Sequence, residues 1–154
     1  MSFLSPFISK DRTVNKASLK SQKRIFEVLS NLLHTPDDEI SSDLIYQKLF
    51  DRERIGSTAI GKGVAVPHCR IAGIMVTRLA ILTLDVPIEY EMTNEPVDIF
   101  IAAIFPESVK DVHIAFMGEL VKFLKKKGTL TNIRQAQSNE QLYQLFLSAS
   151  DVTP

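Results

Sequence analysis

The sequence predicts an α/β protein arranged as a three-layer sandwich, a β-sheet flanked by helices on both faces. Three observations carry that prediction. Two apolar runs, RLAILTLDV from Arg78 and VDIFIAAIF from Val97, lack the polar alternation of a strand with one wet face, so both read as strands covered on both sides. Segments of helical period precede and follow them. The chain has 154 residues, 45% hydrophobic and 23% charged, which suits a single domain over residues 1–154 that buries its core without disulfides or a structural metal.

The elements follow in order. From Leu19 to Leu33 apolar residues fall at 25, 28, 29, 32 and 33, the spacing of an amphipathic helix, and HTPDDE ends it at Pro36. SSDLIYQKLFDRER offers Ser41 or Ser42 as N-cap, Asp43 in the first turn, an apolar face at 44, 45 and 49, and arginines at the end that the helix dipole favours. This second helix is expected to stop near Arg54. GVAVPHC, from Gly63 to Cys69, is β-branched and reads as the first strand, before the two apolar runs. VKDVHIAFMGELVKFLKKKG, from Val109, returns to helical period with 113, 116, 117, 120 and 124 on one stripe and Gly128 as C-cap. Ser138 and Gln141 stand in capping-box spacing and start the last helix. The expected order is helix, helix, at least three strands, then two or three helices.

Composition excludes several function classes. Eighteen basic and eighteen acidic residues cancel, so no net field draws the chain to nucleic acid or anionic lipid. Cys69 is the only cysteine, which rules out an intramolecular disulfide and suits a reducing compartment. The N-terminal MSFLSPFISKDR is not a signal peptide, and no stretch reaches membrane-spanning length, so a cytoplasmic protein without membrane insertion is expected. Three scattered histidines give no metal-ligand spacing, and no cofactor is expected.

The stretch GSTAIGKGVAVPHC, residues 56–69, makes two competing claims about phosphate. Its first half approaches a nucleotide P-loop, which needs a buried strand before the glycines, a helix after them and a hydroxyl following the lysine. LFDRERI precedes, VAVPHC follows, and position 63 is glycine, so all three requirements fail. Gly56, Gly61 and Gly63 still permit a loop whose amides hold an anion, although on the motif alone a plain helix-to-strand connection explains them better. In an extended segment Val64, Val66 and His68 share one face and Cys69 points the other way, which disfavours a Cys-His pair. Pro67 stiffens the strand end that delivers His68, which reads either as a structural or exposed histidine or as a functional one at the kind of position where ligands gather in α/β sheets.

Other side chains have a bland and a functional reading. His113 lies on the apolar stripe of its helix, as a core histidine or as a neutral imidazole able to orient a phosphate. Arg54 is a helix-end cation or a bidentate phosphate ligand beside the glycine loop. His34 reads as a helix-end or surface residue. Lysines 125–127 read as a solvated helix end, with docking of an acidic partner as the alternative.

The run RERIGSTAIGKGVAVPH resembles the active-site segment of the fructose/mannitol-type enzyme IIA domains of the bacterial phosphoenolpyruvate phosphotransferase system, and within them the nitrogen-regulatory group most. PVDIFIAAIFP, VHIAFMGELVKFL and IRQAQSNEQLYQLF extend the likeness from about residue 10 to 148. The resemblance implies a mixed sheet with helices on both sides. It makes His68 the phosphoryl acceptor, Arg54 a phosphate-binding cation and His113 the second histidine, with Ser57 and Thr58 at small polar loop positions that bind phosphate. Cys69 stands where relatives often carry Gly or Ala, and Lys62 where Asn is common.

The activity so implied is a stoichiometric phosphoryl relay through a transient phosphohistidine. An HPr-like phosphocarrier protein would donate to Nε2 of His68, and no metal, nucleotide or other cofactor would take part. The nitrogen-regulatory version controls transporters or sensor kinases by its phosphorylation state. The sugar-transport version passes phosphate to a IIB domain, which is not recognisable in this sequence, and the regulatory version is therefore expected.

Overall fold

The computed structural model describes residues 3–91, 93–108 and 110–148; Met1 and Ser2 of the N-terminal segment and Val109, first residue of the third helical run, lie outside them. In chain order the elements are β1 (Thr13–Ala17), α1 (Gln22–Leu33), α2 (Ser42–Ile55), β2 (Ala59–Gly61), β3 (Val64–Ala65), β4 (His68–Ile71), β5 (Arg78–Tyr90), β6 (Glu95–Pro106), α3 (Lys110–Lys125), α4 (Thr129–Gln135) and α5 (Asn139–Leu147).

The helices start where side-chain oxygens replace the missing backbone acceptors of a first turn. Ser21 accepts from the Arg24 amide, Ser41 from Leu44 and Ser138 from Gln141. Thus Ser41, rather than Ser42, caps α2. His34 follows α1 as its C-cap, and its Nε2 donates to the Ile40 carbonyl at 3.0 Å, which closes the turn around Pro36. Gly128 departs from the expectation of a C-cap for α3. That helix stops at Lys125, and Gly128, at φ +87°, is the left-handed residue that launches α4.

The six-stranded sheet runs β1-β5-β6-β3-β2, and β4 continues the β3 edge by pairing with β6. β5 and β6 form the long antiparallel centre, while β1 lies parallel to β5, and β3 and β4 lie parallel to β6. The sheet is therefore mixed, as expected. β1 was not legible in the sequence: TVNKA is short and partly exposed, and it becomes a strand because Thr13 and Val14 pair with Ile81 and Leu82.

Strand alternation sends side chains into two cores. Leu82, Phe100 and Ile104 pack against Phe26 and Leu29 of α1 and Leu49 of α2 on one face. Ile81, Ile99 and Ile101 pack against Leu120 and Leu124 of α3, Ile133 of α4 and Phe146 of α5 on the other. These side chains are all but fully buried, each contributing roughly 1.5–3 kcal/mol. The sandwich has three layers, and the unbroken apolar runs are its middle one.

Candidate functional site

The stretch from Arg52 to His68 leaves the end of α2, forms the β2–β3 hairpin and enters β4 beside β6, with His68 opposite Ala103. Alternation holds across Pro67: Val64 and Val66 face the α3 core, and Ala65 and Cys69 face the α1–α2 core. Cys69 is buried, and burial pushes its thiol up to about 12, so it remains a protonated core side chain with its back to His68.

His68 is half-buried in a cleft of about 420 Å³ that Arg52, Ser57, Thr58 and Val66 line together with Met117 and Val121 of α3. Its Nδ1 lies 2.8 Å from the Val66 carbonyl oxygen. A carbonyl only accepts, so Nδ1 carries the proton and Nε2 keeps its lone pair. Burial lowers the basicity of the ring; the Val66 bond and the charge of Glu53 oppose that, while Arg52 and His113 add to it, and the net direction is down. A neutral ring with an unprotonated Nε2 is the state of a nucleophile.

The structure brings His113 to this place, its ring centroid 6.5 Å from that of His68 and tilted by 42°. Phe105 supports its other side at 5.3 Å, and the buried Nδ1 of His113 has no hydrogen-bond partner among the described residues.

Arg54 lies elsewhere. Its side chain is 70% exposed, pairs with Asp51 at 3.6 Å and is absent from the cleft wall. Arg52 occupies the position expected of Arg54: it is half-buried, lines the cleft, and anchors itself by donating from Nη1 to the Gly56 carbonyl at 2.8 Å. Two residues apart on a helix means about 200° apart around its axis, so only one of the two can face His68. Both stand in RER, and periodicity alone does not say which side of α2 meets the sheet edge.

Glu53 was also missed. It is buried, and its two oxygens accept from the Thr58 amide at 2.8 Å and the Thr58 hydroxyl at 2.6 Å. Thr58 thus spends its donors inside the protein and positions the loop. Ser57 Oγ accepts from the Ala59 amide at 3.1 Å and keeps its own proton available in the cleft. The signal for Glu53 was an acid in the last turn of a helix, where the dipole disfavours it unless something else holds it.

The glycine turn is fastened from outside. Arg134 donates from Nη2 to the Lys62 carbonyl at 2.6 Å while it grips Asp98 through Nε and Nη2 at 3.0 and 2.8 Å. Gly63 sits at φ +83°, where a Cβ would stand 2.5 Å from Arg134 Nη2 and 2.9 Å from Asp98 Oδ1. Its small size is needed for this clamp.

The mixed three-layer sheet with a histidine at the start of an edge strand belongs to a phosphotransferase-system domain: residues 6–149 match the family model described as "Phosphoenolpyruvate-dependent sugar phosphotransferase system, EIIA 2", and the chain belongs to that family. Among its relatives the nitrogen regulatory protein of Pseudomonas aeruginosa is 28% identical over 149 residues, which are 96% of this chain and 97% of the relative. The crystal structure of nitrogen regulatory protein IIA-Ntr from Neisseria meningitidis superposes with a TM-score of 0.86 at 25% identity, covering 93% of this chain and 98% of that one. The complex of mannitol enzyme IIA with phosphorylated enzyme IIB from Escherichia coli shares the fold, at a TM-score of 0.66 and 12% identity over 92% of this chain and 99% of that chain. Among the described residues no helix is long and apolar enough to cross a membrane, and no group of three metal-ligating side chains occurs.

Proposed function

We propose that this chain is a cytoplasmic phosphoryl relay protein of the nitrogen-regulatory type, which accepts a phosphoryl group on Nε2 of His68 from an HPr-like phosphohistidine carrier. The observation that carries this reading is the 2.8 Å bond from Nδ1 of His68 to the Val66 carbonyl, because it leaves Nε2 as the nucleophile. In the transfer the donor's N–P bond breaks as the Nε2–P bond forms, the donor nitrogen keeps the bonding electrons, and the Nδ1 proton stays in place. The ring gains positive character as it attacks, and the Val66 carbonyl stabilises it.

Such a transition state is loose, so positioning and charge neutralisation supply most of the acceleration. Arg52 uses one of its five N–H donors on Gly56 and offers the others to the phosphoryl oxygens, with the Ser57 hydroxyl beside it. His113 stands across from His68 as a second donor. In this reading phosphate binding passes from Arg54 to Arg52, and Thr58 holds the loop through Glu53. Ile55, Val112 and Ile114, which flank Arg54 and His113 in sequence, are 83%, 67% and 64% exposed and offer apolar surface for the carrier to cover.

The regulatory version is favoured over the sugar-transport version by relatives called nitrogen regulatory proteins that match along nearly their whole length. Incubation with phosphoenolpyruvate, enzyme I and the carrier is expected to add one acid-labile phosphoryl group by intact mass. His68→Ala should abolish the gain, Arg52→Lys should slow it, and Arg54→Lys should leave it close to the parent rate. Label persisting in His68→Ala would remove the assignment. Stoichiometric passage of the phosphoryl group to a IIB cysteine would establish the sugar-transport version instead.

A further inference from the structure

A second concavity, larger than the His68 cleft, lies outside it. A groove of about 740 Å³ runs between the β2–β3 turn and the end of α3, within the size range of pockets that hold small organic ligands. Its floor is apolar, formed by Ile60, Leu124 and Leu130, and its rim carries Lys62, Lys125 and Lys127. Among the described residues none of these three lysines has a carboxylate within salt-bridge distance. The nearby Asp98 is already occupied by Arg134, which also fixes the Lys62 backbone. In a chain whose formal charge is zero, positive charge is concentrated here around an apolar floor.

Like charges held together around a concave surface lower the energy of an anion placed among them, and the floor adds apolar contact that a bare anion does not use. We propose that this groove is a binding site for an organic phosphate, an apolar or aromatic body carrying two or more negative charges. The limited volume of the groove favours such a ligand over an extended acidic peptide, whose length would overrun it. The site is not a magnesium P-loop, since residue 63 is a glycine with no hydroxyl to hold a metal. Ile60 lines both this groove and the His68 cleft, so a bound ligand touches the hairpin that walls both.

The test is calorimetric titration of the unphosphorylated protein with magnesium-free ATP, tripolyphosphate, adenosine and a hexaglutamate peptide. ATP is expected to bind with a sub-millimolar Kd, about tenfold or more tighter than either half of the molecule, and to weaken as salt screens the rim. Charge reversal in Lys125→Glu/Lys127→Glu should weaken ATP by about tenfold or more with an unchanged melting temperature. A His68→Ala/Arg52→Ala variant should retain the parent affinity, because the relay cleft is a different place. The proposal is overturned if ATP does not bind, if tripolyphosphate binds as well as ATP, or if the peptide binds more tightly. It is equally overturned if affinity is lost in the His68/Arg52 variant and kept in the lysine variant. Neither outcome bears on whether His68 accepts a phosphoryl group.

Discussion

Glu53 and Thr58 are joined by two hydrogen bonds, with the buried carboxylate accepting the threonine amide at 2.8 Å and its hydroxyl at 2.6 Å. This pairing ties the end of α2 to the loop that leads to His68. It also places a negative charge that raises the basicity of His68 against the opposing Arg52.

Replacing Glu53 by Gln leaves one carbonyl oxygen where two anionic oxygens accepted. The expected loss is roughly 1–3 kcal/mol of unfolding free energy, measured by denaturant titration. With the negative charge gone, NMR titration should find the His68 midpoint lower than in the parent. An unmoved midpoint would separate Glu53 from the electrostatics of the site.

The pH behaviour of His68 has a definite sign. Its folded value is depressed, chiefly by burial, so the unfolded chain holds more protons in the window below the ordinary value of about 6.5. The stability contribution is present above that value and is lost as pH falls through the folded one. NMR should report a midpoint below 6.5 and, in the neutral ring that this direction favours at pH 7, an Nδ1-protonated tautomer. A midpoint above it would contradict the neutral nucleophile.

Arg78 opens β5 with a buried ion pair to Asp38, and its Nε donates to the Leu33 carbonyl at 2.8 Å, bracing the end of α1. Burial by itself would raise the Asp38 carboxyl, but the Thr35 amide and the Arg78 guanidinium outweigh it and hold it below the usual range. That stabilisation is complete above the unfolded carboxylate value of about 3.9 and disappears as pH falls through the lower folded one. Asp38→Asn should cost about 3 kcal/mol at pH 7 and flatten the acid limb of the stability profile. An acid limb identical to the parent's would contradict the assignment.

Tyr90 is fully buried, and its hydroxyl lies by Glu53 and Thr58 without a hydrogen bond of good geometry. Burial and the Glu53 charge push its phenol upward, so it stays protonated. Tyr90→Phe removes an unsatisfied polar atom and should leave the melting temperature equal or higher. A drop of several degrees would mean that the hydroxyl is bonded in solution.

Gly63→Ala meets both a left-handed backbone and the Arg134–Asp98 clamp. A loss of about 2 kcal/mol or more is expected by thermal unfolding. A neutral result would show that the clamp yields easily.

The sequence by itself determined the layers and the facing of His68. Apolar runs in β5 and β6 could only be buried on both sides, helix starts were written in Ser138 and in the Ser41–Ser42 pair, and alternation through Val64, Val66 and His68 put Cys69 on the opposite side. These features depend on residues a few positions apart, which is the range over which periodicity and capping act. Tertiary structure decided what depends on distant partners. Thr13 and Val14 are in a strand because Ile81 and Leu82 offer them an edge, Arg52 rather than Arg54 meets the cleft because of how α2 rolls onto the sheet, and Glu53 is buried because Thr58 folds back to it. A helix carries both arginines equally well; only its packing gives one of them a site to face.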